Sequence, residues 1–157
     1  MNWHGFYKVF ICKHLLFGRV CDILEFMEET SVNQMNMLSL AFVGDAVFTL
    51  FVRERLARNH DNKAGGLHKL ANKYVKATSQ AQIFDHLEVF LCEKEKEIAR
   101  RARNAHNNTK AKNASLADYK KATAFEALLG YHLLSEDVER LNELLEIAVD
   151  FIEKGEN

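Results

Sequence analysis

The chain has 157 residues, 48% of them hydrophobic and 27% charged, and a formal net charge of −1. That length suits one domain able to bury roughly two thirds of its unfolded surface, and the composition excludes disorder as the dominant state. Prolines number zero, where average usage of about 5% would give roughly eight, and glycines number seven. A fold built on many tight turns is therefore disfavoured, and an all-α bundle of long helices with short connections is expected.

The first segment, about residues 1–21, carries Lys8, Lys13 and Arg19 and no acid. These charges interrupt its apolar run below the roughly 18 residues that a membrane span needs, so no membrane is implied. The segment also lacks serine and an obvious small-residue cleavage site, which fits a targeting peptide poorly. Residues 1–26 are read as an N-terminal extension and residues 27–157 as the folded domain. Cys12, Cys21 and Cys92 form no CxxC pair, which points to a reducing, cytoplasmic setting rather than to a disulfide framework or a zinc site.

Leu38, Leu40, Val43, Val47, Leu50 and Leu56 make about 36–58 a helix that is apolar nearly all round, so it is expected at the centre. After the turn signal at 59–66 come a helix over 67–76 and another capped by Thr78 or Ser79 that runs through Ile83, Leu87 and Leu91. Glu93, Glu95 and Glu97 open the stretch 93–103 and Arg100, Arg101 and Arg103 close it. This is the favourable sense for the helix dipole, and the stretch reads as a surface helix. A loop over 104–113 leads to Asp118 as an expected N-cap, then to a second strongly apolar helix over 119–134. The last helix, over 136–153, carries Val138, Leu141, Leu145, Val149 and Ile152 at three- and four-residue spacing and stops at Gly155.

The near-zero net charge hides an asymmetry. Residues 100–121 hold seven basic side chains against Asp118 alone, whereas residues 122–157 hold nine acids against Arg140 and Lys154. A solvated face explains the basic block in one reading. In the other the block grips phosphates, with Asn104, Asn107, Asn108 and Asn113 adding amides that bond to phosphate and sugar oxygens.

In each of the two most apolar helices one carboxylate stands where the pattern calls for a core residue: Asp45 in the first, Glu126 in the second. An isolated buried carboxylate costs several kcal/mol, so such a group needs a partner, a proton or a metal. Structural roles exist for both. Asp45 follows Gly44 and can cap a helix that restarts there, and Glu126 can pair with Lys121 or Arg140. The functional reading joins them: two central helices pack together, Gly44 and Gly130 allow close approach, and the converging carboxylates make a hard-oxygen site for Mg²⁺ or Mn²⁺.

Phe42-Val43-Gly44-Asp45-Ala46-Val47 resembles the signature of the ribonuclease III catalytic domain, and Ala124-Phe125-Glu126-Ala127-Leu128-Leu129-Gly130 resembles its second acidic motif. With Leu67-His68-Lys69, Lys73-Tyr74-Val75, Arg101-Ala102-Arg103-Asn104-Ala105, Lys112-Asn113-Ala114 and Asp118-Tyr119, the ordered set is similar to the Mini-ribonuclease 3 family over about residues 27–151. Two acids of full-length ribonuclease III are replaced here by Ala41 and Thr123, and no double-stranded-RNA-binding domain is expected after the last helix. The resemblance implies a ribonuclease III-like helical bundle forming a two-fold dimer. It implies a Mg²⁺-dependent endoribonuclease, with Mn²⁺ able to substitute, that hydrolyses double-stranded RNA to leave a 5′-phosphate and a 3′-hydroxyl. Its substrate would be the precursor of large-subunit (23S) ribosomal RNA. Asp45 and Glu126 are then the catalytic metal ligands, and Arg101, Arg103, Asn104, Lys110, Lys112, Lys69 and Lys73 the RNA-binding set. The alternative is a catalytically inactive module of the same fold that binds RNA or the ribosome.

Overall fold

A computed structural model describes residues 31–59, 63–105 and 115–155. Contacts along the backbone divide the chain between Gln34 and Met35, and all the helices below belong to the second unit. The extension expected over 1–26, with its boundary, lies outside the described residues.

Six α-helices and no strands occur among the described residues: α1 (Met37–Asn59), α2 (Ala64–Val75), α3 (Ala77–Leu87), α4 (Glu93–Asn104), α5 (Leu116–Leu134) and α6 (Val138–Lys154). The all-α expectation holds. No helix among them is long and apolar enough to cross a membrane. The boundary between α3 and α4 differs from the sequence reading, because α3 ends at Leu87 and a single 3₁₀ turn, Glu88–Phe90, precedes Leu91. At its start α3 has Lys76, rather than Thr78 or Ser79, in the N-cap position.

Helix α5 is the axis of the bundle, with every side chain from Ala127 to His132 buried. Its N-cap is Ser115, one turn earlier than expected. Ser115 Oγ accepts from the Asp118 N–H at 3.0 Å, so Asp118 serves as the far half of a capping box. The most extensive helix contact joins α5 to α1. There Phe48 and Phe125 meet edge to face with centroids 4.9 Å apart, a geometry worth about 1 kcal/mol beyond burial. A Cβ on Gly44 would overlap the Glu126 backbone carbonyl, and one on Gly130 would overlap that of Leu40. The two glycines thus let the helix backbones touch where the acids sit, as their placement in the sequence led us to expect.

Helix α1 departs from its expected central position. Met37, Leu40, Ala41, Gly44, Phe48, Val52 and Leu56 are buried at three- and four-residue spacing, but Phe42 is 80% exposed and Leu50 57%. The helix is apolar on two sides, and the described residues cover only one of them. On its polar edge Arg55 bridges to Glu146 at 2.9 Å and to Glu153 at 3.1 Å, tying α1 to α6.

The turn from α5 to α6 is closed by two backbone bonds, Asp137 N–H to His132 O at 2.9 Å and Glu136 N–H to Leu133 O at 3.2 Å, with Glu136 in the left-handed region at φ 57°. This Schellman arrangement satisfies the last carbonyls of α5 and delivers Asp137 as the cap of α6, accepting from the Arg140 N–H.

Candidate active site

Asp45 lies in the middle of α1 and Glu126 in the middle of α5, so neither caps a helix. The restart expected as one role for Asp45 is absent, because α1 runs unbroken through Gly44. Asp45 is also not buried as the apolar pattern predicted. It is exposed on the same side of α1 as Phe42 and Ala46, while Glu126 is half-buried.

The Gly44 contact on the Glu126 backbone sets the register that brings the two carboxylates together. Burial and the negative charge of Asp45 drive the Glu126 carboxyl up to about 8, and the Gln80 amide beside it pulls the other way. Neither structural partner proposed for Glu126 is engaged with it. Lys121 bridges to Asp85 at 2.7 Å, and Arg140 is bound to Glu95 and Glu143. Among the described residues the causes acting on Glu126 are burial, Asp45 and Gln80, and a hard divalent cation fits a donor set of two such carboxylates. The two positions that lack carboxylates relative to full-length ribonuclease III are filled apolarly or inwardly: Ala41 is buried, and Thr123 Oγ1 donates to the Tyr119 carbonyl at 3.0 Å. No cluster of three or more metal-ligating side chains occurs among the described residues.

Of the expected RNA-binding set, Arg103 and Asn104 are exposed in the last turn of α4, and Arg101 beside them is half-buried. Arg103 reaches Glu88 at 3.5 Å and lies 5.9 Å from the Phe84 ring centroid. Lys69 and Lys73 are exposed on α2. Lys110 and Lys112 fall outside the described residues. A cleft of about 270 Å³ between α1 and α2, lined by Leu56, Ala57, Leu67 and His68 among others, contains neither acid.

Two residues escaped the sequence reading. Glu95, assigned to a surface helix, is 2% exposed and sits in a closed polar cluster with His132, Asp137 and Arg140. The signal was available, since Glu95 shares a helical face with Ile98, Ala99 and Ala102, but the run of alternating charges around it masked that face. Gln80 is 1% exposed beside Glu126 and shares the buried face of α3 with Ile83, Phe84 and Leu87.

An all-helical bundle in which α1 and α5 meet at paired glycines and carry one carboxylate each is consistent with a ribonuclease III domain. The description "Ribonuclease III domain" matches residues 38–137 of the chain. Mini-ribonuclease 3 of Symbiobacterium thermophilum is 46% identical over 76% of this chain and 92% of that protein, and Mini-ribonuclease 3 of Thermoanaerobacter is 41% identical over 83% and 92%. A crystal structure of a Fusobacterium nucleatum protein superposes with a TM-score of 0.68 and 29% identity, covering 79% of this chain and 96% of that one. The chain belongs to the Mini-ribonuclease 3 family and is an endoribonuclease.

Proposed function

We propose that this protein is a Mg²⁺-dependent endonuclease of double-stranded RNA that matures the 23S ribosomal RNA precursor in the cytoplasm as a two-fold homodimer. The observation that carries the reading is the pairing of Asp45 with Glu126, in which burial and the Asp45 charge push the Glu126 carboxyl up. When bound between them, Mg²⁺ supplies a water activated at neutral pH and a counter to the charge that builds on the phosphate. Asp45 and Glu126 would hold the ion, Glu126 in its ionised form. Helix α5, buried from Ala122 to Phe125 and from Ala127 to His132, keeps Glu126 from moving away from α1. Hydrolysis leaves a 5′-phosphate and a 3′-hydroxyl.

Arg101, Arg103 and Asn104 at the end of α4, Lys110 and Lys112 beyond it, and Lys69 and Lys73 on α2 serve as phosphate contacts. A-form RNA is recognised mostly by shape, 2′-hydroxyls and phosphates, so such contacts need no base-reading partner. Cutting both strands requires two sites on one duplex, which two-fold symmetry supplies. The exposed Phe42 and Leu50 face of α1 supports that dimer, because it is apolar and adjoins Asp45.

The test is cleavage of a long RNA duplex by the purified protein with Mg²⁺ and with EDTA, beside Asp45→Asn. Cutting with Mg²⁺ alone, lost in Asp45→Asn, is expected, with a sedimenting mass twice that of the chain. Tight RNA binding without cleavage under any divalent cation would favour the inactive-module alternative.

A further inference from the structure

Gln80 is among the most deeply buried polar side chains of the protein, 1% exposed on α3 where that helix packs against α5. Its Nε2 is buried and has no hydrogen-bond partner, a condition shared among the described side chains only by Ser135 Oγ. Buried amide N–H groups are almost always satisfied, because leaving one unpaired costs the full penalty of removing it from water. Methionine or leucine would fill the same space without that cost. The side chain next to this orphan donor is the Glu126 carboxylate, an acceptor with two oxygens and about four lone pairs when ionised.

We propose that Gln80 is a positioning residue for the active site: its Nε2–H₂ donates to one oxygen of ionised Glu126 and so fixes the other toward the metal ion. This inference rests on the reading of Asp45 and Glu126 as metal ligands. Groups that hydrogen-bond a ligating side chain orient it, and removing them costs roughly ten- to a hundredfold in metal affinity.

The experiment measures Mn²⁺ binding directly, by paramagnetic resonance of the free ion, to the wild-type protein, Gln80→Met, Gln80→Leu and Asp45→Asn, with melting recorded in EDTA. Gln80→Met should bind Mn²⁺ about tenfold more weakly while melting at or above the wild-type temperature, since an unpaired buried donor has been removed. A purely structural glutamine predicts the reverse, with altered melting and unchanged Mn²⁺ affinity. Mn²⁺ binding within twofold of wild type in Gln80→Met or Gln80→Leu, together with loss of binding in Asp45→Asn, overturns the role of Gln80 and leaves the metal site standing. Equal binding by wild type and Asp45→Asn overturns the metal site itself. Should both Gln80 variants fail to fold, the wild-type protein decides: its Gln80 side-chain amide resonance should move on Mg²⁺ addition, and a resonance that stays in place overturns the proposal.

Discussion

Glu95 and Glu126 are carboxylates set among apolar helical neighbours, and their surroundings drive them in opposite directions. Burial alone would push Glu95 up, but Arg140 donates to it through Nε at 2.8 Å and Nη2 at 3.0 Å, and the Cys92 N–H donates at 2.7 Å. His132 Nε2 lies 3.0 Å away as well, and together these partners hold the carboxyl down at about 2. Burial also pushes Glu126 up, and there its nearest charge is another carboxylate, so it rises to about 8. One acid has its charge balanced within the chain and fastens α4 to α5 and α6. The other is left unbalanced across the contact of α1 and α5. A compensated buried charge is a structural joint, and an uncompensated one is a candidate functional group.

The comparison is broken most severely at the uncompensated acid. Glu126→Gln keeps shape and removes charge, and cleavage of duplex RNA should fall by on the order of a thousandfold, comparable to losing a principal electrostatic contact of a transition state. Mn²⁺, which accepts poorer ligand sets, should restore part of the rate. Full activity of Glu126→Gln with Mg²⁺ would return that residue to a structural role.

The compensated acid should fail in stability and not in chemistry. Glu95→Gln leaves the Arg140 guanidinium facing a neutral amide, and breaking such a pair costs about 3 kcal/mol, or roughly a 10 °C drop in melting temperature. Per folded molecule, cleavage well below the melting temperature should stay near wild type. A variant that melts normally but cuts poorly would place Glu95 in the catalytic machinery instead.

The opposite shifts also give opposite pH dependences. Glu95 binds its proton less readily folded than unfolded, so its contribution to stability is present above its ordinary value near 4.5 and is lost as pH falls toward 2. Glu126 binds its proton more readily folded, so without metal its site weakens the fold as pH rises from about 4.5 through about 8. In EDTA, Glu126→Gln should therefore be the more stable protein at pH 8.5, by about 2 kcal/mol, with the difference vanishing below pH 4.5. Melting curves at the two pH values check this, and equal melting temperatures at pH 8.5 would mean that Glu126 is not under charge stress.

Much of this contrast was legible before any coordinates. Two carboxylates inside apolar helices, each with a glycine one or four residues away, announced the contact of α1 with α5, although Asp45 is exposed there and not buried as its apolar neighbours implied. The exposed side of α1 was not legible: periodicity shows that Phe42 and Leu50 are apolar but not whether the same chain covers them. Glu95 was misread because its burial depends on Arg140, 45 residues later, and on His132 and Asp137, which the Schellman turn brings into reach. Pairing across that distance leaves no local trace, and a glutamate near a helix start has a ready explanation in the dipole. Gln80 escaped for a related reason, since an uncharged amide raises no alarm in an apolar stripe.

The smallest effect is expected on the surface, at Arg103. Its contacts are a solvent-exposed 3.5 Å approach to Glu88 and a position over the Phe84 ring at 5.9 Å from the centroid, both weak, so Arg103→Glu should leave the melting temperature nearly unchanged. Its effect should appear in binding. Each phosphate contact contributes about 0.7 to 0.9 to the slope of log affinity against log salt, and the variant should lose roughly one unit of that slope on an uncleaved duplex with Ca²⁺ in place of Mg²⁺. The affinity loss should be large at low salt and shrink as salt rises, because released counterions, not shape, carry the contribution. A slope identical to wild type would make the end of α4 a solvated face, and the basic character of residues 100–121 would then belong to solubility and not to recognition.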